Sequence, residues 1–168
     1  MAFNVRQIFI ALADARVEYV VVGGFAVILH GYLRATADLD LVIGLSQANC
    51  ERGLKALSDI GFQPRLPVDL SDFADPDKRR EWSEKGNMLV FQLWDPANPL
   101  RSLDLFIKEP IDFPTLLRDS VSKDIGGASV PVASIEHLIE MKLATGRPRD
   151  QDDVAKLRLI REEAAGYG

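Results

Sequence analysis

The run Thr36-Ala37-Asp38-Leu39-Asp40-Leu41-Val42-Ile43-Gly44 carries two acidic side chains into a stretch that otherwise reads as a buried β-strand. Successive strand side chains point to opposite faces of a sheet. Asp38 and Asp40 therefore share one face, while Leu39, Leu41 and Ile43 cover the other. Two neighbouring like charges are unfavourable unless a cation or a protein partner offsets them. A divalent metal ion with a phosphate-bearing substrate meets that requirement.

The chain has 168 residues, enough for one domain with a substantial core. Its single cysteine, Cys50, excludes an internal disulfide and a cysteine-based zinc site, and it fits a reducing compartment. No basic segment precedes a long apolar run at the start of the chain, so no signal peptide is predicted. The apolar runs are too short to span a bilayer, and the cytoplasm is the expected location. A net charge of −5 argues against strong non-specific binding to nucleic acid, which needs several Lys or Arg contacts to phosphate.

Hydrophobic spacing predicts a first amphipathic helix over residues 4–15 and a buried strand from Glu18 to Val22. Gly23-Gly24 ends that strand, and a short helix follows from Phe25 to His30. After the acidic strand at 38–43, Ser46 is placed to cap a helix running to about Ile60. Residues 64–86 read as a loop with one short helix. Met88–Trp94 and Ser102–Lys108 read as a hairpin around the turn cluster Asp95-Pro96-Ala97-Asn98-Pro99. A short helix at Phe113–Arg118, an extended piece at Ser129–Ala133, a helix capped by Ser134 and a last helix opened by Asp150 complete the chain. The expected fold class is α/β (α+β): a small mixed β-sheet flanked by helices, with a helical C-terminal part. Residues 1–168 are expected to form one domain, with the core in 1–110 and a mostly helical part in 111–168.

A third acid, Asp104, interrupts the apolar strand Ser102–Lys108. If that strand neighbours the first, Asp38, Asp40 and Asp104 converge. Such a set suits two divalent ions about 3.5–4 Å apart, the arrangement used for in-line displacement at phosphorus. Gly23-Gly24 sits where a strand opens into a helix, and backbone N–H groups there can approach phosphate oxygens. The spacing is neither a dinucleotide fingerprint nor a P-loop. Near the C-terminus, Lys142 falls in phase with the apolar stripe Ile135, Leu138, Ile139, and Asp153 falls in phase with Leu157 and Ile160. Both polar side chains face inward on this reading, and a shared site would explain both.

Gly23-Gly24, His30-Gly31, Arg34-x-Thr36-x-Asp38-x-Asp40 and Asp104 together resemble the DNA polymerase β-type nucleotidyltransferase superfamily. The form with Arg-x-Thr before the acids, and Lys142 followed by Gly146-Arg147-Pro148-Arg149-Asp150-Gln151-Asp152-Asp153, is most similar to small bacterial nucleotidyltransferases. These include toxin components of abortive-infection type toxin–antitoxin pairs. The resemblance covers residues 19–44, 102–108 and 138–157.

What the resemblance implies is metal-dependent transfer of a nucleoside monophosphate from an NTP to a hydroxyl acceptor on RNA, protein or a small molecule, with release of pyrophosphate. Asp38, Asp40 and Asp104 would be the catalytic residues and the ligands of Mg²⁺ or Mn²⁺. Asp104 would also deprotonate the attacking hydroxyl. Gly23, Gly24, Arg34, Thr36, Lys142 and Asp153 would bind the nucleotide, and an antitoxin protein would be a partner. One departure stands out: many members carry Ser where this chain has Gly24. That departure favours the alternative, a non-catalytic relative that binds and regulates a partner protein or nucleotide. The complete set of three acids opposes it. Other residues have simpler roles on this reading. Thr36 orders the turn before its strand. His30, His137 and Cys50 are structural, and Lys78-Arg79-Arg80 is a solvated run. Asp150 is an N-cap, and Trp82 and Trp94 belong to the core or its rim.

Overall fold

The structure is a computed structural model that describes residues 4–166. Helix α1 (Val5–Asp14) buries Ile8, Phe9 and Leu12, the apolar positions that predicted it. Strand β1 (Tyr19–Val22) is buried along its whole length, which is why it reads as an unbroken Val-rich run. Helix α2 (Gly23–Leu29) follows it without a loop. Strand β2 (Leu39–Ile43) leads to α3 (Gln47–Asp59), where the Ser46 hydroxyl accepts from the Asn49 N–H.

The segment read as a loop with one short helix does hold a helix, but a longer one, and is more ordered than its sequence suggested. It holds a two-residue strand β3 (Gln63–Pro64), a 3-10 turn (Leu70–Ala74) and an eleven-residue helix α4 (Pro76–Gly86). The start signal was present: Asp75 caps the helix and Pro76 takes its first position. The weak apolar periodicity of α4, which buries only Arg79, hid its length. Arg79 donates to the Phe73 carbonyl, so the basic run 78–80 is not wholly solvated.

Strands β4 (Val90–Asp95) and β5 (Asn98–Phe106) form the expected hairpin. Helix α5 (Phe113–Arg118) is followed by a second hairpin, β6 (Val121–Ile125) and β7 (Ala128–Val132). Only its second strand was foreseen. Its turn, Gly126-Gly127, has positive φ at both residues, which glycine supplies without strain. Helices α6 (Ile135–Thr145) and α7 (Pro148–Gly166) close the chain. Helix α7 begins at Pro148, so Asp150 lies inside its first turn and is not the cap.

The sheet is mixed, with seven strands in the order β3-β4-β5-β2-β1-β7-β6. It is larger than the small sheet expected, because β3, β6 and β7 extend it and place part of 111–168 beside β1. Two neighbouring pairs are parallel, β2 with β5 and β1 with β7. Among the described residues no helix is long and apolar enough to cross a membrane.

Candidate active site

The parallel pairing of β2 with β5 sets Asp40 directly opposite Asp104, between the pairs Leu39–Leu103 and Leu41–Leu105. The leucines are buried at 0–1% exposure and fix the register; the acids come out on the other face. Asp40 and Asp104 lie against each other, and Asp40 in its protonated form donates to Asp104. Burial, then the charges of Asp104 and Asp38, push Asp40 up to about 7. Burial and Asp38 push Asp104 up to about 6, against the opposing pull of Asp40, Gln92 and Arg65. Asp104 Oδ1 is buried without a hydrogen-bond partner.

Asp38 sits one step before β2, and its Oδ1 accepts from the buried Ser102 hydroxyl. Among the described residues no three His, Cys, Asp or Glu side chains form a ready metal cage. Asp40 and Asp104 engage each other, and Asp38 engages the Ser102 hydroxyl. The donor set nonetheless fits a hard divalent cation, which binds oxygen ligands. It offers carboxylate oxygens only, two of the three acids resist ionisation, and one oxygen has no other partner.

Gly23 and Gly24 open α2 with no side chain capping its N–H groups. Gly23 has φ +70°, and a Cβ there would fall inside Asp40 Oδ2. Gly23→Ala is therefore expected to displace the Asp40 carboxylate and to strain the backbone. The unfolding temperature should drop, whereas Gly31→Ala, with nothing within 4 Å, should leave the Asp40 carboxylate in place. Gly24 has a different reason to be glycine. A Cβ there would meet Arg34 Nη1 and, at 2.8 Å, Thr36 Oγ1. The space a serine at position 24 would need is filled by the Arg34 guanidinium.

Arg34 Nε lies 3.3 Å from Asp153 Oδ1, and Lys142 Nζ lies 2.8 Å from Asp153 Oδ2. Lys142 is also 3.7 Å from Asp150, which accepts from Arg147 and Thr145. Asp153 is 1% exposed. The inward-facing Lys142 and Asp153 thus meet each other, and the charge of Lys142 reaches Asp40, where it opposes protonation. Thr36 donates to the Asp38 carbonyl at 3.3 Å and orders the turn into β2. His30 bonds the Ala133 carbonyl at 2.8 Å, and Cys50 is packed in the core.

Ser102, Gln92 and Asp150 escaped the sequence reading of the site. Ser102 is two residues before Asp104 and so on the same strand face, a signal that alternation alone carries. Gln92 lies opposite Asp104 through the antiparallel pairing of β4 with β5, which the sequence does not specify to the residue. A cavity of about 360 Å³ opens beside Asp38, with Phe25, Ile28, Leu39, Arg34 and Thr36 among its walls.

No family model matches the chain, and no curated protein matches it in sequence. Solved structures do. The lincosamide antibiotic adenylyltransferase LnuA, lincomycin-bound, superposes with a TM-score of 0.57 at 17% identity, covering 92% of this chain and 96% of that one. ANT(2")-Ia in complex with adenylyl-2"-tobramycin gives a TM-score of 0.57 at 13% identity, over 98% of this chain and 97% of its own. An antigenic nucleotidyltransferase-like protein from Paracoccidioides brasiliensis gives 0.52 at 16%, over 94% and 76%. With nearly whole-length superposition on such structures, the chain has the nucleotidyltransferase fold.

Proposed function

We propose that this protein is a metal-dependent nucleotidyltransferase that moves a nucleoside monophosphate from an NTP to a hydroxyl acceptor and releases pyrophosphate. The observation that carries the reading is the in-register pair Asp40–Asp104, with Asp38 at its edge and Gly23 beneath it. Burial and mutual repulsion hold two of these three acids from ionising, a cost that a bound cation would offset. Bound to them, Mg²⁺ or Mn²⁺ would offset the carboxylate charges and draw electron density from the reacting phosphate. Asp104 would take the proton of the acceptor hydroxyl. The free N–H groups at Gly23 and Gly24, with Arg34 and Lys142 nearby, would hold the triphosphate. The cavity beside Asp38 is of a size to take the nucleoside. RNA, protein and small molecules stand as acceptor classes, the last supported by neighbours bound to lincomycin and adenylyl-tobramycin. A toxin role rests on the sequence motifs alone.

Incubation with α-labelled NTPs, Mg²⁺ or Mn²⁺ and candidate acceptors tests the reading. Metal-dependent label in an acceptor, with equimolar pyrophosphate, supports it; folded protein that binds neither metal nor NTP overturns it. Metal binding should also depend on pH. The folded value of Asp40, about 7, lies above its ordinary value, so the stability of its neutral form is full at low pH and is lost as pH rises through 7. A divalent cation acts in the opposite sense, because it binds the ionised form. The rise in Tm on adding Mg²⁺ or Mn²⁺ should therefore be larger at pH 8 than at pH 6, as read by thermal unfolding.

A further inference from the structure

The acid pair divides the sheet into two flanks. On the β1 side lie Gly23, Gly24, Arg34 and Lys142, the groups suited to a triphosphate. On the other side, β4 presents Gln92 and Trp94 on the same face as Asp104 and Ser102, all partly exposed except Ser102. The alternate residues Phe91 and Leu93 are buried beneath them. Arg65, at the end of β3, is tied to β4 by its N–H to the Gln92 carbonyl at 3.0 Å. Its guanidinium lies 4.6 Å from the centre of the Trp94 ring. Arg65 is exposed and, among the described residues, makes no ion pair. Gln92 pairs directly opposite Asp104 across the β4–β5 ladder, so the residues tied to it border that carboxyl.

In-line displacement at phosphorus requires the acceptor oxygen to approach opposite the leaving pyrophosphate. With the triphosphate on the β1 flank, the acceptor belongs on the β4 flank. We propose, on the strength of the transferase reading, that Arg65, Trp94 and Gln92 seat the acceptor, and that it is a small phosphorylated hydroxyl compound of the mononucleotide class. A guanidinium held over an indole offers both a stacking surface for a base and N–H donors for a phosphate. One free cation matches one phosphate. A long polynucleotide asks for several, and the chain carries −5 overall. A polycationic acceptor such as an aminoglycoside meets repulsion from Arg65. In the step, the acceptor hydroxyl gives its proton to Asp104 and forms a bond to the α-phosphorus. The bond from that phosphorus to the β-bridging oxygen breaks, and pyrophosphate leaves.

The chain has two tryptophans, so Trp82→Phe leaves Trp94 as the sole indole reporter. Phenylalanine keeps the stacking of residue 82 on Phe91, now 5.1 Å between ring centres. With the protein saturated by Mg²⁺ and a non-hydrolysable ATP analogue, AMP should quench Trp94 fluorescence. Adenosine should bind at least tenfold more weakly, and tobramycin should have no effect. Arg65→Ala should weaken AMP about tenfold or more and leave the affinity for the ATP analogue unchanged. The same ratio should hold for AMP-induced Tm shifts in the protein that keeps both tryptophans. Quenching by the ATP analogue itself with no added effect of AMP would assign this flank to the NTP and overturn the proposal. A short RNA oligomer binding much more tightly than AMP, or Arg65→Ala leaving AMP binding intact, would also overturn it. Failure of the ATP analogue to bind at all would instead count against the transferase reading.

Discussion

Asp40→Asn is expected to make the protein more stable and to abolish the proposed nucleotidyl transfer. Asparagine keeps the shape of a protonated aspartate, and its amide can donate to Asp104 as the neutral carboxyl does. At pH 8 the native Asp40 is ionised in a buried position beside two other acids, although its value of about 7 shows that this state is disfavoured. Removing the charge should relieve on the order of 2 kcal/mol, roughly 5 °C in Tm for a chain of this size. At pH 5.5 the native residue already holds its proton in the fold but is still ionised in the unfolded chain, so the gain should be smaller there and should vanish only at about pH 4, where both states are protonated. The same substitution removes a carboxylate from the proposed metal set. Nucleotidyl transfer should fall by about 10³-fold or more, and the Mg²⁺-dependent rise in Tm should be largely lost. Thermal unfolding at the two pH values, with and without metal, and a pyrophosphate-release assay measure both halves. An Asp40→Asn protein that loses stability at pH 8, or keeps its activity, would show that the charge at this position is not the one held in reserve for a cation.

That trade between stability and use is the part of the site that could be read from the sequence. An acid in an apolar strand violates the pattern around it, and Asp38, Asp40 and Asp104 did so three times. Their meeting could not be read, because it depends on β5 lying parallel to β2 after a hairpin with β4, and strand order is a property of the whole sheet. Lys142 and Asp153 were legible by helical phase, but their third partner was not. Arg34 lies far from both in sequence and reaches Asp153 only because the loop before β2 passes over α7. Gly24 was visible as a departure from a pattern, while the guanidinium filling the serine position exists only in three dimensions. The β6–β7 hairpin was missed for a different cause. Its outer strand, Val121–Ile125, is polar and partly exposed and carries little apolar alternation, so the Gly126-Gly127 turn was its one clear mark.

Asp153→Ala should give the largest loss of stability of any single change at the site. Asp153 is 1% exposed and carries the charge that faces both Lys142, itself 9% exposed, and Arg34. Deleting one partner of a buried pair leaves the other desolvated and uncompensated, at a cost of about 3–5 kcal/mol. Tm should fall by roughly 10 °C, and the urea midpoint should fall with it. Asp152→Ala is the natural contrast. Asp152 is exposed and, among the described residues, its side chain bonds only the Tyr32 hydroxyl, so its loss should amount to less than about 1 kcal/mol. The double change Lys142→Met with Asp153→Leu removes the charge and its partner together and should recover much of the stability. It should not recover function. Lys142 would be gone from the neighbourhood of Asp40, and Arg34 would lose the carboxylate that holds its guanidinium against Gly24. A double variant that folds well but binds NTP weakly would separate the two duties of this network. One that binds NTP normally would make the Arg34–Asp153–Lys142 chain a purely structural clamp between the acidic strand and the last helix.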